Sequence, residues 1–264
     1  MQLECSYNCS YRYSQIDSAR EKEKKRKKHM HVAIIGGGIA GLSLAIALHH
    51  RGISLTIYEQ ASEFGEVGAG VSFTPNAIQA MKACHPGIHE AFERVCTRNL
   101  WPNKQDVWFD YLDGTKASTD IAFTIRNSLG QNGVHRARFL AELVRLLPAD
   151  LARFQKQLVD VTEDEQQQQQ LVCRFADGST AKADIVIGCD GIKSRVRSLI
   201  VGDTHPAATP SFTHKYAYRG LVPMDQAVQA VGEEVASNAC MHVWFSLLHP
   251  LPKLMNKTSR RSSY

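Results

Sequence analysis

This 264-residue chain has no apolar run of the ~18 residues needed to cross a bilayer, so no transmembrane helix is expected. Its opening stretch, "MQLECSYNCSYRYSQ", contains no apolar signal core, which argues against export. None of the seven cysteines (5, 9, 84, 96, 173, 189 and 240) forms a Cys-x-x-Cys pair. An odd count without a secretory signal points to reduced thiols and a cytoplasmic location. No Gly-x-Ser-x-Gly elbow exists, so a hydrolase built from Asp190, Ser194 and scattered histidines is set aside. His85 and His89 have metal-pair spacing, but Pro86 and Gly87 break the helix that spacing requires, and no metal site is expected. Excess charge is also confined. Residues 20–28, "REKEKKRKK", hold seven bases and two acids, which accounts for the whole net charge of +5. The remainder is balanced and suggests no nucleic-acid surface. The run itself reads as a solvated, disordered leader spanning 1–30, with a nuclear-localisation or anionic-surface patch as the alternative.

What is present begins at "HVAIIGGGIAGLSLAIALHHRGISLTIYEQ" (31–60). An apolar strand runs into a glycine turn, a helix from Ile39 to His50 and a second strand at Ser54–Tyr58. That order implies a right-handed crossover and a parallel sheet. Gly36, Gly38 and Gly41 form Gly-x-Gly-x-x-Gly between strand and helix. Gly36 permits the tight turn, Gly38 leaves room for a pyrophosphate, and Gly41 lets the helix pack close. The helix N-terminus offers unsatisfied N–H groups and positive dipole to phosphate. Glu59 ends the second strand 23 residues after Gly36, where an acid accepts hydrogen bonds from ribose hydroxyls. That acid argues against NADP, whose extra phosphate it would repel, but leaves NAD and FAD open.

Further along, "TPNAIQAMKA" reads as a helix with Thr74 as N-cap and Pro75 at its first position. "DVWFDYLDGTKAS" carries strand formers around an Asp113-Gly114 hairpin turn. "HRARFLAELVRLLP" sets Phe139, Leu140, Leu143, Val144 and Leu147 on one helical face, ended by Pro148. Five glutamines (166–170) fall between two strand-like segments and read as an expanded hairpin loop. "ADIVIGCDGIKSRVRSLI" gives a strand, a Gly-Cys-Asp-Gly turn and a helix. After Gly220 the pattern weakens.

Gly36–Gly41, Glu59, "GEVGAGVSFTPNA", "HRARFLAEL", "ADGSTAKADIVIGCDGIKSRVR" and "YAYRGLVPMD", in that order, resemble the flavin-dependent aromatic-ring hydroxylases. The resemblance is strongest to the fungal salicylate-hydroxylase-like monooxygenases, including those acting on polyketide phenols, and spans about His31 to Cys240. It implies an α/β fold: a Rossmann-like FAD-binding domain of the para-hydroxybenzoate-hydroxylase type (31–205) and a β-rich substrate domain (206–264). It also implies FAD as cofactor, NAD(P)H as co-substrate, and O2 with a small aromatic substrate as partners.

The implied roles fall on particular residues. Gly36, Gly38 and Gly41 hold the FAD pyrophosphate and Glu59 the adenosine ribose. Gly70 lies in a loop closing over the cofactor. Arg136 approaches the diphosphate and ribityl chain, as a permanently charged fork for phosphate oxygens. Asp190 and Gly191 match an Asp-Gly motif associated with FAD and NAD(P)H pyrophosphate; a helix-capping aspartate is the plainer alternative for Asp190. Arg136 could instead be a surface arginine on an amphipathic helix. Arg219 matches a position that orients or charge-stabilises a phenolate, with a structural salt bridge as its alternative. Two features depart from the family: no Gly-Asp motif follows Arg219, and the segment after "NACMHV" changes character. The resemblance therefore carries the expectation of a C-terminally truncated enzyme with an incomplete substrate domain, weak FAD retention and doubtful activity. An inactive nucleotide-binding remnant is the alternative, and a dehydrogenase using NAD alone the least favoured.

Overall fold

The computed structural model describes residues 30–65, 70–115, 120–164, 170–214 and 220–243. The basic leader, most of the glutamine run, Arg219 and the tail after Val243 lie outside them. In chain order the elements begin with β1 (His31–Ile35), α1 (Ile39–His49), β2 (Ser54–Tyr58), β3 (Gly70–Ser72), α2 (Pro75–Cys84), α3 (Pro86–Val95) and β4 (Cys96–Thr97). They continue with β5 (Val107–Asp113), β6 (Ile121–Arg126), β7 (Gly133–His135), α4 (Arg136–Val144), β8 (Ala152–Arg153) and β9 (Leu158–Glu163). Next come β10 (Leu171–Phe175), β11 (Thr180–Ala183), β12 (Ile185–Gly188), α5 (Arg195–Val201), α6 (Met224–Val231), α7 (Glu233–Ser237) and β13 (Cys240–Val243). Among the described residues no helix is long and apolar enough to cross a membrane.

The chain divides into two units, Met1–Thr97 with Asn132–Leu221 and Arg98–Gln131 with Val222–Tyr264. This division differs from the expected boundary at 205. The β5–β6 hairpin, expected as an insertion in the FAD-binding domain, groups with the later segment because β13 pairs in parallel with β5, Cys240 opposite Asp110.

The first unit is built on a parallel sheet of order β12-β1-β2-β8. A strand buried on both faces reads as a continuous apolar run, and "HVAII" is such a run. Val32 and Ile34 enter one core cluster with Leu42, Ile46, Phe92 and Phe139. Ala33 and Ile35 enter another with Leu158, Cys173, Phe175 and Val196. The first cluster is covered by α1 to α4 and the second by the antiparallel β11-β10-β9 sheet and α5. A small sheet, β3-β7-β4, leads into α4. Pro75 starts α2 behind Thr74 as expected, although the Thr74 hydroxyl turns to Asn76 rather than capping the backbone. His85 is the N-cap of α3: its Nδ1 accepts from the Gly87 N–H at 3.1 Å, while His89 pairs with Glu93 at 3.3 Å.

The second unit has a three-stranded sheet of order β13-β5-β6 with helices α6 and α7. The Asp113 carboxylate accepts from the Thr115 N–H at 3.0 Å and so shapes the expected hairpin turn. Beneath the sheet Lys104 and Asp110, both almost fully buried, form an ion pair at 2.7 Å. Burial alone would raise the Asp110 pKa. Hydrogen bonds from Lys104 and Thr124, with the Lys104 charge, outweigh it and hold the carboxyl below its usual range.

Candidate functional site

At the C-terminal ends of β1 and β12 the chain turns sharply, and ligands of open α/β sheets bind at this edge. A groove of about 350 Å³ opens there, lined by Gly36, Gly38, Glu59, Arg136, Asp190 and Gly191 among others. Six sequence-predicted positions thus converge from four separate stretches of chain.

The glycines separate by function. Gly36 has φ +104°, and a Cβ there would lie 2.4 Å from the Cys189 carbonyl oxygen. A Cβ on Gly41 would lie 2.0 Å from the Gly36 carbonyl oxygen, so Gly41 packs α1 onto the turn and does not line the groove. Gly38 differs. Its φ of −74° suits any residue, and the nearest atom to an added Cβ is an Arg136 Nη at 4.0 Å. No packing or backbone constraint accounts for glycine there. A side chain would instead fill the groove between the turn and the Arg136 guanidinium. Gly38 is also the N-cap of α1, which has no side-chain cap and no acid in its first turn. Open space, backbone N–H groups and a guanidinium meet at one point, the requirement for an anion.

Glu59 also lines the groove. One carboxylate oxygen accepts from the Gly37 N–H at 2.6 Å, the other from the Ala61 N–H at 2.8 Å. Each oxygen keeps further acceptor capacity, so a ribose diol can still be held. Asp190 lines the groove, but its carboxylate is engaged with α5. It accepts from the Ser194 hydroxyl at 2.6 Å and from the N–H groups of Arg195 and Val196 at 2.7 and 3.1 Å. This is the capping role left open above. Gly191, at φ +74°, turns the chain beside it. Gly70 does not line the groove; it pairs with His135, the residue before Arg136.

Several groove residues were not anticipated. Lys193 and Arg195 lie within the quoted "DGIKSRVR" and were readable there as bases next to the turn. Lys156 had no sequence signal. It donates to Ser179 at 2.7 Å and to Asp177, whose pKa falls well below the carboxylate range chiefly through that Lys156 hydrogen bond. Cys189 also lines the groove, its thiol pKa raised first by burial and then by the Asp190 charge.

The FAD binding domain family matches residues 29–213. An FAD-dependent monooxygenase of Monascus ruber is 48% identical over 225 residues, covering 83% of this chain and 50% of that protein. A 6-methylsalicylate 1-monooxygenase of Aspergillus terreus is 47% identical over 214 residues, covering 80% of this chain and 48% of that protein. A salicylate hydroxylase solved as its substrate complex superposes with a TM-score of 0.64 at 33% identity, covering 82% of this chain and 50% of that one. The chain spans about half the length of the curated relatives it matches.

Proposed function

The chain belongs to the FAD binding domain family, and on that premise we propose that it serves an FAD-dependent monooxygenase hydroxylating a phenolic or aromatic substrate. Bound FAD, reduced by NAD(P)H, supplies the activation of O2 by which one oxygen atom enters the ring and the other leaves as water. The chain's own residues bind and orient. The Gly36–Gly38 turn and the first N–H groups of α1 take the diphosphate, with Arg136 across from them. Glu59 takes the adenosine ribose, and Gly41 holds the helix close enough for both. Asp190 stiffens the rim by capping α5, and Gly191 keeps that rim open. Gly70 sets the start of the strand facing His135. Arg219, outside the described residues, orients the phenolate. In this reading the first unit supplies most of the cofactor half and the second unit belongs to the substrate half.

The substrate class rests on likeness to proteins named for 6-methylsalicylate and salicylate. The cysteines at 84, 96, 173, 189 and 240, outside any disulfide among the described residues, suit a reducing, cytoplasmic setting. The observation that supports the cofactor assignment is Gly38, an N-cap glycine with open space between it and the Arg136 guanidinium. Titration of the purified chain with FAD tests it: quenching of flavin fluorescence with saturation is expected, and no uptake sinks the reading. NADPH oxidation coupled to a hydroxylated product from 6-methylsalicylate tests the reaction. FAD uptake without such product leaves only the nucleotide-binding half of the proposal.

A further inference from the structure

The arch between Glu59 and Phe64 carries a group that the sequence did not single out. The Phe64 ring lies against Gly37, where an added Cβ would come 2.6 Å from Cε1 and 3.1 Å from Cδ1. Behind it, the Phe154 ring meets Phe64 edge-on, centroids 4.8 Å apart at 78°. The backbone ties the arch down: the Ala61 carbonyl accepts from the Gln155 N–H at 2.9 Å, and the Glu59 carbonyl from the Lys156 N–H at 2.9 Å. Gly37 is therefore seated from one side by an aromatic face while its N–H donates to Glu59 at 2.6 Å.

We propose that Phe64 is a positioning residue of the dinucleotide groove: by seating Gly37 it fixes the Glu59 carboxylate in the orientation that recognises a ribose diol. The proposal rests on the reading of the groove given above. A carboxylate held by two backbone donors, one on each oxygen, cannot rotate, and its remaining lone pairs keep a set direction. Without the ring, the Gly37 peptide is free to turn and the bond to Glu59 loosens. The carboxylate then recovers rotational freedom, and its selectivity for a hydroxyl pair at one place declines.

The test compares ADP with 2′-deoxy-ADP by calorimetric titration. The wild-type chain is expected to prefer ADP by about tenfold, the worth of one good hydrogen bond to a charged acceptor. Phe64→Ala should weaken ADP binding and bring the preference to within about twofold. Phe64→Tyr, which keeps the ring, should retain the preference. Phe64→Leu, which keeps apolar volume without the flat face, should lose part of it and serves if the alanine variant does not fold. Gly37→Ala should cost less affinity in the Phe64→Ala background than alone, since the clash is with that ring. Equal weakening of both nucleotides in the Phe64 variants, with the preference intact, overturns the proposal and leaves Phe64 as packing alone. A wild-type chain that binds neither nucleotide nor FAD overturns the groove assignment itself, and this inference with it.

Discussion

The sheet of the first unit and the sheet of the second are covered in opposite ways. In the first, β1 lies between two apolar clusters, and Ala33, Ile34, Leu42 and Ile46 are entirely shielded from solvent. In the second, Phe123 and Ile125 stand 50% and 42% exposed along one face of β6, and Ile121, opposite Leu112 beyond a register shift, is 46% exposed, while a lysine and an aspartate are buried. The sheet of the first unit is flanked by apolar packing, and the buried charge of that unit, Glu142, sits on α4, where Arg94 and Arg145 pair with it. The second relies on an ion pair in its interior and leaves apolar side chains in solvent. A rigid, dry sheet edge suits the task of holding glycine peptides and a carboxylate in fixed geometry. Trp101 and Trp108, the tryptophans among the described residues, belong to the second unit, so their fluorescence reports on it separately from FAD uptake by the first.

The largest effect should come from the first core. Phe92 is fully buried, with Phe73 and Phe139 edge-on at 5.6 and 5.9 Å. Phe92→Ala is expected to cost about 3–5 kcal/mol. Urea melts followed by circular dichroism, with FAD uptake read in parallel, would show both lost together. Retained FAD uptake at wild-type affinity would break the claim that this packing supports the groove.

A comparable loss, confined to the second unit, is expected for Lys104→Met. Removing one partner of a buried pair leaves the other charge uncompensated, at about 3–5 kcal/mol. The sign with pH distinguishes the mechanism. In the wild type the Asp110 pKa is depressed, so its contribution is present above the unfolded value of about 3.9 and is lost as pH falls through the folded value. In Lys104→Met, burial acts with the ammonium gone and raises the Asp110 pKa, so acidification from pH 7 toward 4 should recover stability. Tryptophan-detected urea melts at the two pH values check this. A variant that weakens further on acidification would show that the pair is not what holds this unit.

A smaller effect, on affinity rather than stability, is expected for Gly38→Ala. Its Cβ meets no protein atom closer than 4.0 Å and its backbone is unstrained, so Tm should fall only by the modest cost of replacing an N-cap glycine with alanine. FAD affinity should fall by roughly tenfold to a hundredfold, or about 1.4–2.7 kcal/mol. Unchanged affinity would mean that the cofactor does not approach this turn.

Much of the first unit was legible because its signals are local. The apolar runs of "HVAII" and "SLTIY", the glycine turn, and Thr74-Pro75 each specify a few consecutive peptides, and the observed elements follow them within a residue. The groove followed because Glu59, Arg136 and Asp190 each flank a readable strand or helix end. What escaped was tertiary. The pairing of Cys240 with Asp110 joins distant stretches that carry no shared periodicity, so the unit built from 98–131 and 222–264 was not visible. Gly37 looked like one glycine among three until Phe64 was seen against it. Lys156 carries a charge in a loop, and nothing in its neighbours says that it reaches a groove wall. Asp190 shows the limit of motif reading: it lines the groove, while its hydrogen bonds go to α5.

The smallest effect tests the exposed face of the second unit directly. Ile125 is paired across the ladder with Phe109 and lies on the same strand face as Phe123, whose ring stacks on Tyr111 at 4.2 Å. Threonine keeps the β-branched shape that suits a strand and replaces a methyl-bearing arm with a hydroxyl. On a face open to water this exchange should change stability by no more than about 0.5 kcal/mol. On a covered face the hydroxyl would lose water without gaining a partner, at about 1–3 kcal/mol. A tryptophan-detected urea midpoint for Ile125→Thr that stays at the wild-type value sharpens the contrast with the first sheet. A loss in the larger range would mean that the β6 face is packed in the protein as the faces of β1 are, and the two sheets would then differ only in their buried charges.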